Sequence, residues 1–298
     1  MLTAMVSHND HYRTEHLMQV KKHSGELVPF EPNSLKQSLS RSGASDQDVE
    51  KVFQSIQQNL YDGISTKELY KLAFDLLKNQ RDSYAARYSL KKALRELGPE
   101  GFYFEKWIAR LFADEGYKSI NGQTVQGHAV SHEIDVVALK GDKMLAVECK
   151  FRNDIEAKIS VTTPMYFMSR VKDISNLPFN FFGGEYTFTE GWLVTNAYFT
   201  SDSTDFGEYY KMNLLSWNYP KNSSIKVRVD NNGLYPVTCL TCLSDSEKGM
   251  LLKNQCILVK ELLDNPSILQ SVHVNPEKAK KILKEANELI NSPVQTEH

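Results

Sequence analysis

Asp135, Glu148 and Lys150 have the types and the spacing to hold a divalent cation beside an ammonium group. They lie on two short apolar runs, His132 to Leu139 and Met144 to Phe151, joined through Lys140-Gly141-Asp142-Lys143. Aliphatic and β-branched residues on either side of Gly-Asp predict two strands closed by a tight hairpin turn. With Gly141 and Asp142 as the loop, Lys140 faces Lys143, and counting outward sets Asp135 opposite Glu148. Alternation puts Glu148 and Lys150 on one face and turns Cys149 to the other. Carboxylates paired across a ladder lie about 5 Å apart and repel each other. A cation between them removes the repulsion, and Mg²⁺ takes such oxygens together with water and substrate phosphate. The same register places Glu133 opposite Lys150, so a surface ion pair with solvated carboxylates beside it is the competing reading.

An Asp followed, after a hairpin, by Glu-x-Lys at the end of an apolar strand resembles the PD-(D/E)XK, restriction-endonuclease-like nucleases. His132-Glu133-Ile134-Asp135-Val136 is similar to the acidic strand of their Mrr-like branch, which often reads His-x-Ile-Asp-Val. The Pro of the nominal motif is absent. The resemblance implies an αβββαβ core, Asp135 and Glu148 as metal ligands with the carbonyl of Cys149, and Lys150 as the catalytic cation. It further implies Mg²⁺ or Mn²⁺ as cofactor and DNA as substrate.

The flanking segments are those such a site needs. Phe104, Trp107, Ile108, Leu111 and Phe112 form the apolar stripe of a helix from Phe102 to Phe112, ended by Gly116. Glu105 at its margin matches an acid that reaches the metal site in the resembled family; an exposed helix carboxylate is the plainer alternative. Thr162 to Ile174 reads as a second helix, similar to the one that follows the family's catalytic strand. Arg170 on it is expected to hold DNA phosphate, although some members carry a Gln on this helix. Arg152, just past Lys150, belongs to the same basic cluster. Gly191 to Ala197 resembles the family's closing Val-Thr-Asn strand, and Leu214 to Trp217 supplies an edge strand.

Composition sets the bounds. The 298 residues, 41% hydrophobic and 24% charged, describe an α/β chain (α+β, multidomain) of two or three compact units. No apolar run approaches a membrane span and Met1 to His16 lack an apolar signal core, so no membrane partner is expected and a cytoplasmic location is the default. A net charge of −2 exerts no global pull on nucleic acid. Phosphate contacts must come from local clusters: Lys150, Arg152, Lys158, Arg170 and Lys172, and later Lys278, Lys280, Lys281 and Lys284. Four cysteines make no disulfide framework, and Cys239-x-x-Cys242 lacks two well-spaced further ligands for zinc.

A polar extension (1–17) precedes an amino-terminal unit over 18–98. Gln19 to Phe30 reads as two short strands around Ser24-Gly25. Helical stretches follow from Asn33 to Leu39, from Ser45 to Leu60, from the capping-box sequence Ser65-Thr66-Lys67-Glu68, and over Ser83 to Leu97. Val-x-Lys-x-x-Gly, then an apolar-Pro-Phe step and three helices, resembles the ATP-cone, a nucleotide-sensing domain. The resemblance implies ATP or dATP as ligand, with Val20, Lys22, Gly25 and Thr66 in the site. His23 stands where a basic residue is usual, and Ser34 replaces a Lys, with Lys36 two places later. Losing two fixed positive charges weakens a phosphate site.

The nuclease-like unit is expected over 99–220 and a helical unit over 221–298, loosely resembling helix-hairpin-helix modules that grip DNA backbone. Lys281 is its candidate DNA contact; the polar face of a helix, or an oligomerisation bundle, accounts for it equally well. The whole reads as a homo-oligomeric, metal-dependent DNA endonuclease regulated by ATP or dATP and acting in restriction or phage defence. The alternatives are a nucleotide-responsive regulator that binds DNA without cutting it, and a repair or junction nuclease.

Overall fold

A computed structural model describes residues 18–98 and 101–292; the polar extension lies outside them. β1 (Gln19–Lys21) and β2 (Leu27–Pro29) run antiparallel, and β3 (Ile64–Ser65) joins β1 in parallel. Between them lie α1 (Pro32–Ser40), whose Pro sits in the first turn where its missing N–H costs nothing, and α2 (Asp46–Gln57), capped by Ser45. α3 (Thr66–Gln80) opens with the expected capping box, Ser65 and Glu68 exchanging hydrogen bonds. The single helix expected over 83–97 is two, α4 (Asp82–Tyr88) and α5 (Leu90–Arg95). The break falls at Ser89, whose hydroxyl bonds back to the Ala86 carbonyl at 2.9 Å. Leu39, Val52, Phe53, Ile56, Ala73 and Leu77 form this unit's core.

The second unit begins with α6 (Phe102–Asp114), followed by β4 (Lys118–Gln126), β5 (Ser131–Lys140) and β6 (Lys143–Lys150). After β7 (Lys158–Ile159) come α7 (Thr162–Ile174), the β8 (Phe179–Phe181) and β9 (Gly184–Tyr186) hairpin, and β10 (Phe188–Thr195). β11 (Tyr198–Phe199) pairs with β7, and α8 (Ser201–Tyr209) leads into β12 (Asn213–Leu215). The main sheet has five strands in the order β12-β10-β6-β5-β4; β10 runs parallel to β6 and β12, and β4, β5 and β6 are antiparallel neighbours. α7 packs on β10 at Gly191, where a Cβ would come within 2.6 Å of a Val171 methyl.

The remaining chain is helical: α9 (Ile225–Asn232), α10 (Asp245–Lys253), α11 (Val259–Asp264), α12 (Ile268–Ser271) and α13 (Pro276–Asn291). Its apolar side chains share the core beneath one face of the sheet. That core runs from Leu90, Leu94 and Leu97 through Trp107 and Phe112, under Val136, Val147 and Val194, to Val229, Leu262, Ile282 and Leu289. The opposite face buries Val137, Leu139, Met144 and Ala146 against Ile174 and Phe188, with Phe167, Leu193 and Leu214 beside them. Among the described residues no helix is long and apolar enough to cross a membrane.

Candidate active site

The hairpin keeps the expected register from Lys140–Lys143 to Val136–Val147. The ladder ends one step before Asp135 and Glu148, where the strands part. The Asp135 carboxylate accepts the Cys149 N–H at 2.7 Å. Pairing with β4 is irregular at the same place: Asn121 faces Val136 and Gln123 faces Ile134, while Gly122 between them has φ +62. Ile134 consequently joins the core of Val137 and Leu139, although Val136 and Ala138 face the other way, so the alternation of β5 breaks at Asp135. Asn121 ties the point to α6, its amide donating to the carbonyls of Glu105 (3.0 Å) and Asp135 (3.2 Å).

Glu148 is 4% exposed and holds two cations. Lys150 donates to one oxygen, and Arg170 of α7 reaches the other at 2.5 Å while its second amino group donates to the Glu133 carbonyl. Lys150 therefore pairs with Glu148 and not with Glu133, which corrects the surface-pair reading. Arg170 points inward, to the acidic cluster. α7 is anchored separately one turn on: Asp173 accepts the Ala129 and Val130 N–H groups at 2.9 and 3.2 Å and bonds His132 Nε2 at 2.7 Å. The His of His-x-Ile-Asp-Val thus positions the helix, and His132 together with the two backbone amides holds the Asp173 carboxyl below its usual range.

Burial, reinforced by Glu148, pushes the Asp135 carboxyl up to about 6; burial, reinforced by Asp135, Glu133 and Glu148, pushes Glu105 up to about 7. The Cys149 thiol is buried in the core on the far side of β6 and shifted upward, which leaves its backbone as the part that faces the site. Three carboxylates with mutual repulsion, of the oxygen type that Mg²⁺ prefers, form a donor set suited to a divalent charge. Among the described residues no three His, Cys, Asp or Glu side chains converge as a finished metal cluster. The geometry supplies a reason: both Glu148 oxygens are turned to Lys150 and Arg170.

An acid whose folded-state pKa is raised contributes its stability in full below the unfolded value, near 4, and loses it as pH rises through about 6, the value for Asp135. Asp135→Asn should therefore stabilise the metal-free protein at pH 8, by at most about 3 kcal/mol, and by little at pH 4. Thermal melts in EDTA at the two pH values check this.

Arg152 lies exposed on the turn after β6, its backbone N–H and carbonyl both bonded to the Asn196 side chain at 2.8 Å. Sequence reasoning missed Asn196 and Asn121, which clamp the site's backbone; the Asn of Val-Thr-Asn was the available signal for the first, and nothing marked the second. In the amino-terminal unit, buried Val20 pairs with Val28 and Ile64, and Lys21 pairs with Ser65, which brings Lys22 and Thr66 to the same end of that ladder. Lys22 bonds Glu26 at 2.9 Å across the turn that Gly25 makes with φ +90, and His23 is exposed. Lys36 is engaged elsewhere, with Glu50 at 2.7 Å and over the Phe53 ring. Lys281 stands on the exposed face of α13, whose other face enters the shared core.

Comparison with known proteins divides the chain into three matched stretches. Residues 18–97 match the model of the ATP cone domain, 97–218 that of the Mrr-type restriction endonuclease, and 235–290 that of the AF1548-like C-terminal domain. An uncharacterized protein of Archaeoglobus fulgidus is 27% identical over 184 residues, 61% of this chain and 99% of that protein. The crystal structure of AF1548, a protein of unknown function, is similar with a TM-score of 0.52 at 26% identity, over 63% of this chain and 97% of its own. The chain therefore carries an ATP cone domain, followed by a restriction endonuclease domain of the Mrr type and an AF1548-like C-terminal domain.

Proposed function

We propose that this protein is a divalent-metal-dependent DNA endonuclease whose activity responds to ATP or dATP through the cone, in restriction or phage defence. The observation that carries the reading is the gathering of Asp135, Glu105 and Glu148 beside Lys150 where the hairpin strands part, with two of the acids pushed up to about 6 and 7. A structural ion pair has no need to collect more acids than cations. Asp135 and Glu148, with the Cys149 carbonyl and Glu105, are the groups that would hold Mg²⁺ or Mn²⁺. Such a cation, when bound, supplies Lewis acidity toward the phosphate and lowers the pKa of its water. Lys150 meets the charge that develops on the phosphate, and exposed Arg152 contacts a neighbouring phosphate of the backbone.

One observation favours a second reading, a regulator that binds DNA without cutting it: both Glu148 oxygens are closed by cations. Supercoiled DNA with Mg²⁺ or Mn²⁺ separates the two. The endonuclease produces nicked and then linear product that EDTA abolishes, whereas the regulator retards the plasmid and leaves it supercoiled.

The route for nucleotide control starts at the turn that follows Lys150. Lys91 of α5 donates to the Ile155 carbonyl at 2.9 Å and lies over the Tyr198 ring at 4.0 Å, and Glu156 is within electrostatic reach of both Lys91 and Lys22. A nucleotide phosphate at Lys22 competes with Glu26 and Glu156 for that ammonium. Calorimetry on the full chain should then show ATP or dATP binding that Lys22→Ala weakens by about tenfold or more, the loss of a charged hydrogen bond. Lys91→Ala should keep the binding and remove its effect on cleavage. Heat-silent titration with both nucleotides would remove the regulatory half of the reading.

A further inference from the structure

We propose that Arg170 is an exchangeable counter-cation: it neutralises Glu148 while the metal is away and, once a divalent cation takes that carboxylate, turns out to clamp the scissile phosphate. This rests on the metal-site reading of Asp135 and Glu148.

Four observations lead to it. Lys150 already pairs with Glu148, so Arg170 is a second positive charge on one carboxylate. The Arg170 Nε is buried with no hydrogen-bond partner among the described residues, so its inward pose leaves part of the guanidinium fork unused. α7 does not need this side chain to stay docked, because Asp173 fastens it to His132 and the 129–130 backbone while Phe167 packs with Leu193. The guanidinium also lies 5.9 Å from the Tyr166 ring, one turn back on α7 and 62% exposed, which gives it a cation-π surface leading toward solvent.

Charge determines the direction of the exchange. Arginine stays protonated at every accessible pH, so it competes with metal for Glu148 and cannot leave by losing a proton. A divalent ion shared by Asp135 and Glu148 outbids one guanidinium on Glu148 alone and repels it. The released planar fork suits two phosphate oxygens, a role lysine fills less well.

The test is Mn²⁺ binding by calorimetry, without DNA, together with single-turnover cleavage. Arg170→Gln should bind Mn²⁺ about three- to tenfold more tightly than the wild type, since a competing charge is gone, and yet cleave about a hundredfold more slowly at saturating metal. Arg170→Lys should restore the wild-type metal affinity and recover only part of the rate. In the wild type, ¹⁵N-arginine NMR should show the Arg170 side-chain signal, assigned by its loss in Arg170→Lys, shifting on addition of Mg²⁺, and staying fixed in Asp135→Asn. Unchanged or weaker Mn²⁺ binding in a normally melting Arg170→Gln overturns the proposal. If that variant melts low, an Arg170 signal insensitive to Mg²⁺ in the wild type overturns it instead. Wild type and Asp135→Asn binding Mn²⁺ equally, or neither binding it, means that the site reading has failed and takes the exchange down with it.

Discussion

Lys150→Ala should remain folded and bind metal, and should cleave supercoiled DNA at least about a hundredfold more slowly than the wild type, the scale of losing one group aimed at developing charge. Folding should survive because the backbone of Lys150 is held independently of its side chain: Lys150 pairs with Thr195 across β6 and β10, and the Thr195 hydroxyl donates to the Lys150 carbonyl. The side chain itself is about a third exposed and its ion-pair partner is Glu148. Without it the buried Glu148 carboxylate keeps Arg170 as its partner, so no uncompensated charge is left behind. Single-turnover nicking at saturating Mn²⁺, with metal affinity measured alongside, checks the prediction. Lys150→Ala cleaving within threefold of wild type would leave that residue without its assigned role.

The largest effect on stability is expected at Trp107. It is fully buried on α6, stacks with Phe104, and its ring N–H donates to the Leu234 carbonyl at 2.9 Å. Trp107→Ala leaves a large void and an unpartnered carbonyl, a loss of about 3–5 kcal/mol. Because Trp107 sits in a core that includes Leu94, Val147, Val229 and Leu289, the loss should appear over the whole of it. Urea melts followed by circular dichroism and by the remaining tryptophans, Trp192 and Trp217, should move together to lower denaturant. A shift confined to one probe would show the carboxy-terminal helices melting apart from the sheet.

Much of the architecture could be read from local pattern. The β5–β6 register follows from the apolar runs on both sides of Gly141-Asp142, α7 spans the residues its apolar stripe indicates, and α13 starts where Asn275 and Pro276 mark a helix N-terminus. β4 could not be read that way. It is an edge strand with Gly122 in its middle and only Val125 buried, so it shows neither apolar alternation nor a buried run. Asn121, which joins α6 to the acidic point of β5, was hidden for the same reason. The path of Arg170 was also out of reach, since a basic residue on an amphipathic helix looks the same whether it faces phosphate or a carboxylate 22 residues earlier in the chain. That the helices after residue 224 complete the core under the sheet depends on contacts between distant segments, which no local period encodes.

The irregularity at Asp135 also explains why an apolar strand carries an acid in its middle, just past the end of its ladder with β6. Regular alternation would seat Asp135 beside Val137 and Leu139 in the apolar layer under α7; the break gives that layer Ile134 instead and leaves the carboxylate with the Cys149 N–H and its fellow acids. Charge is concentrated there at a cost in stability, which is the usual signature of a site kept for chemistry.

The most direct measurement compares single-turnover cleavage of supercoiled DNA by wild type and Asp135→Asn in Mn²⁺ at pH 8, a pH at which the metal-free variant is expected to be no less stable than the wild type. The account predicts metal-dependent nicking by the wild type and none above background by the variant. Equal rates in the two proteins, or cleavage that persists in EDTA, would contradict it.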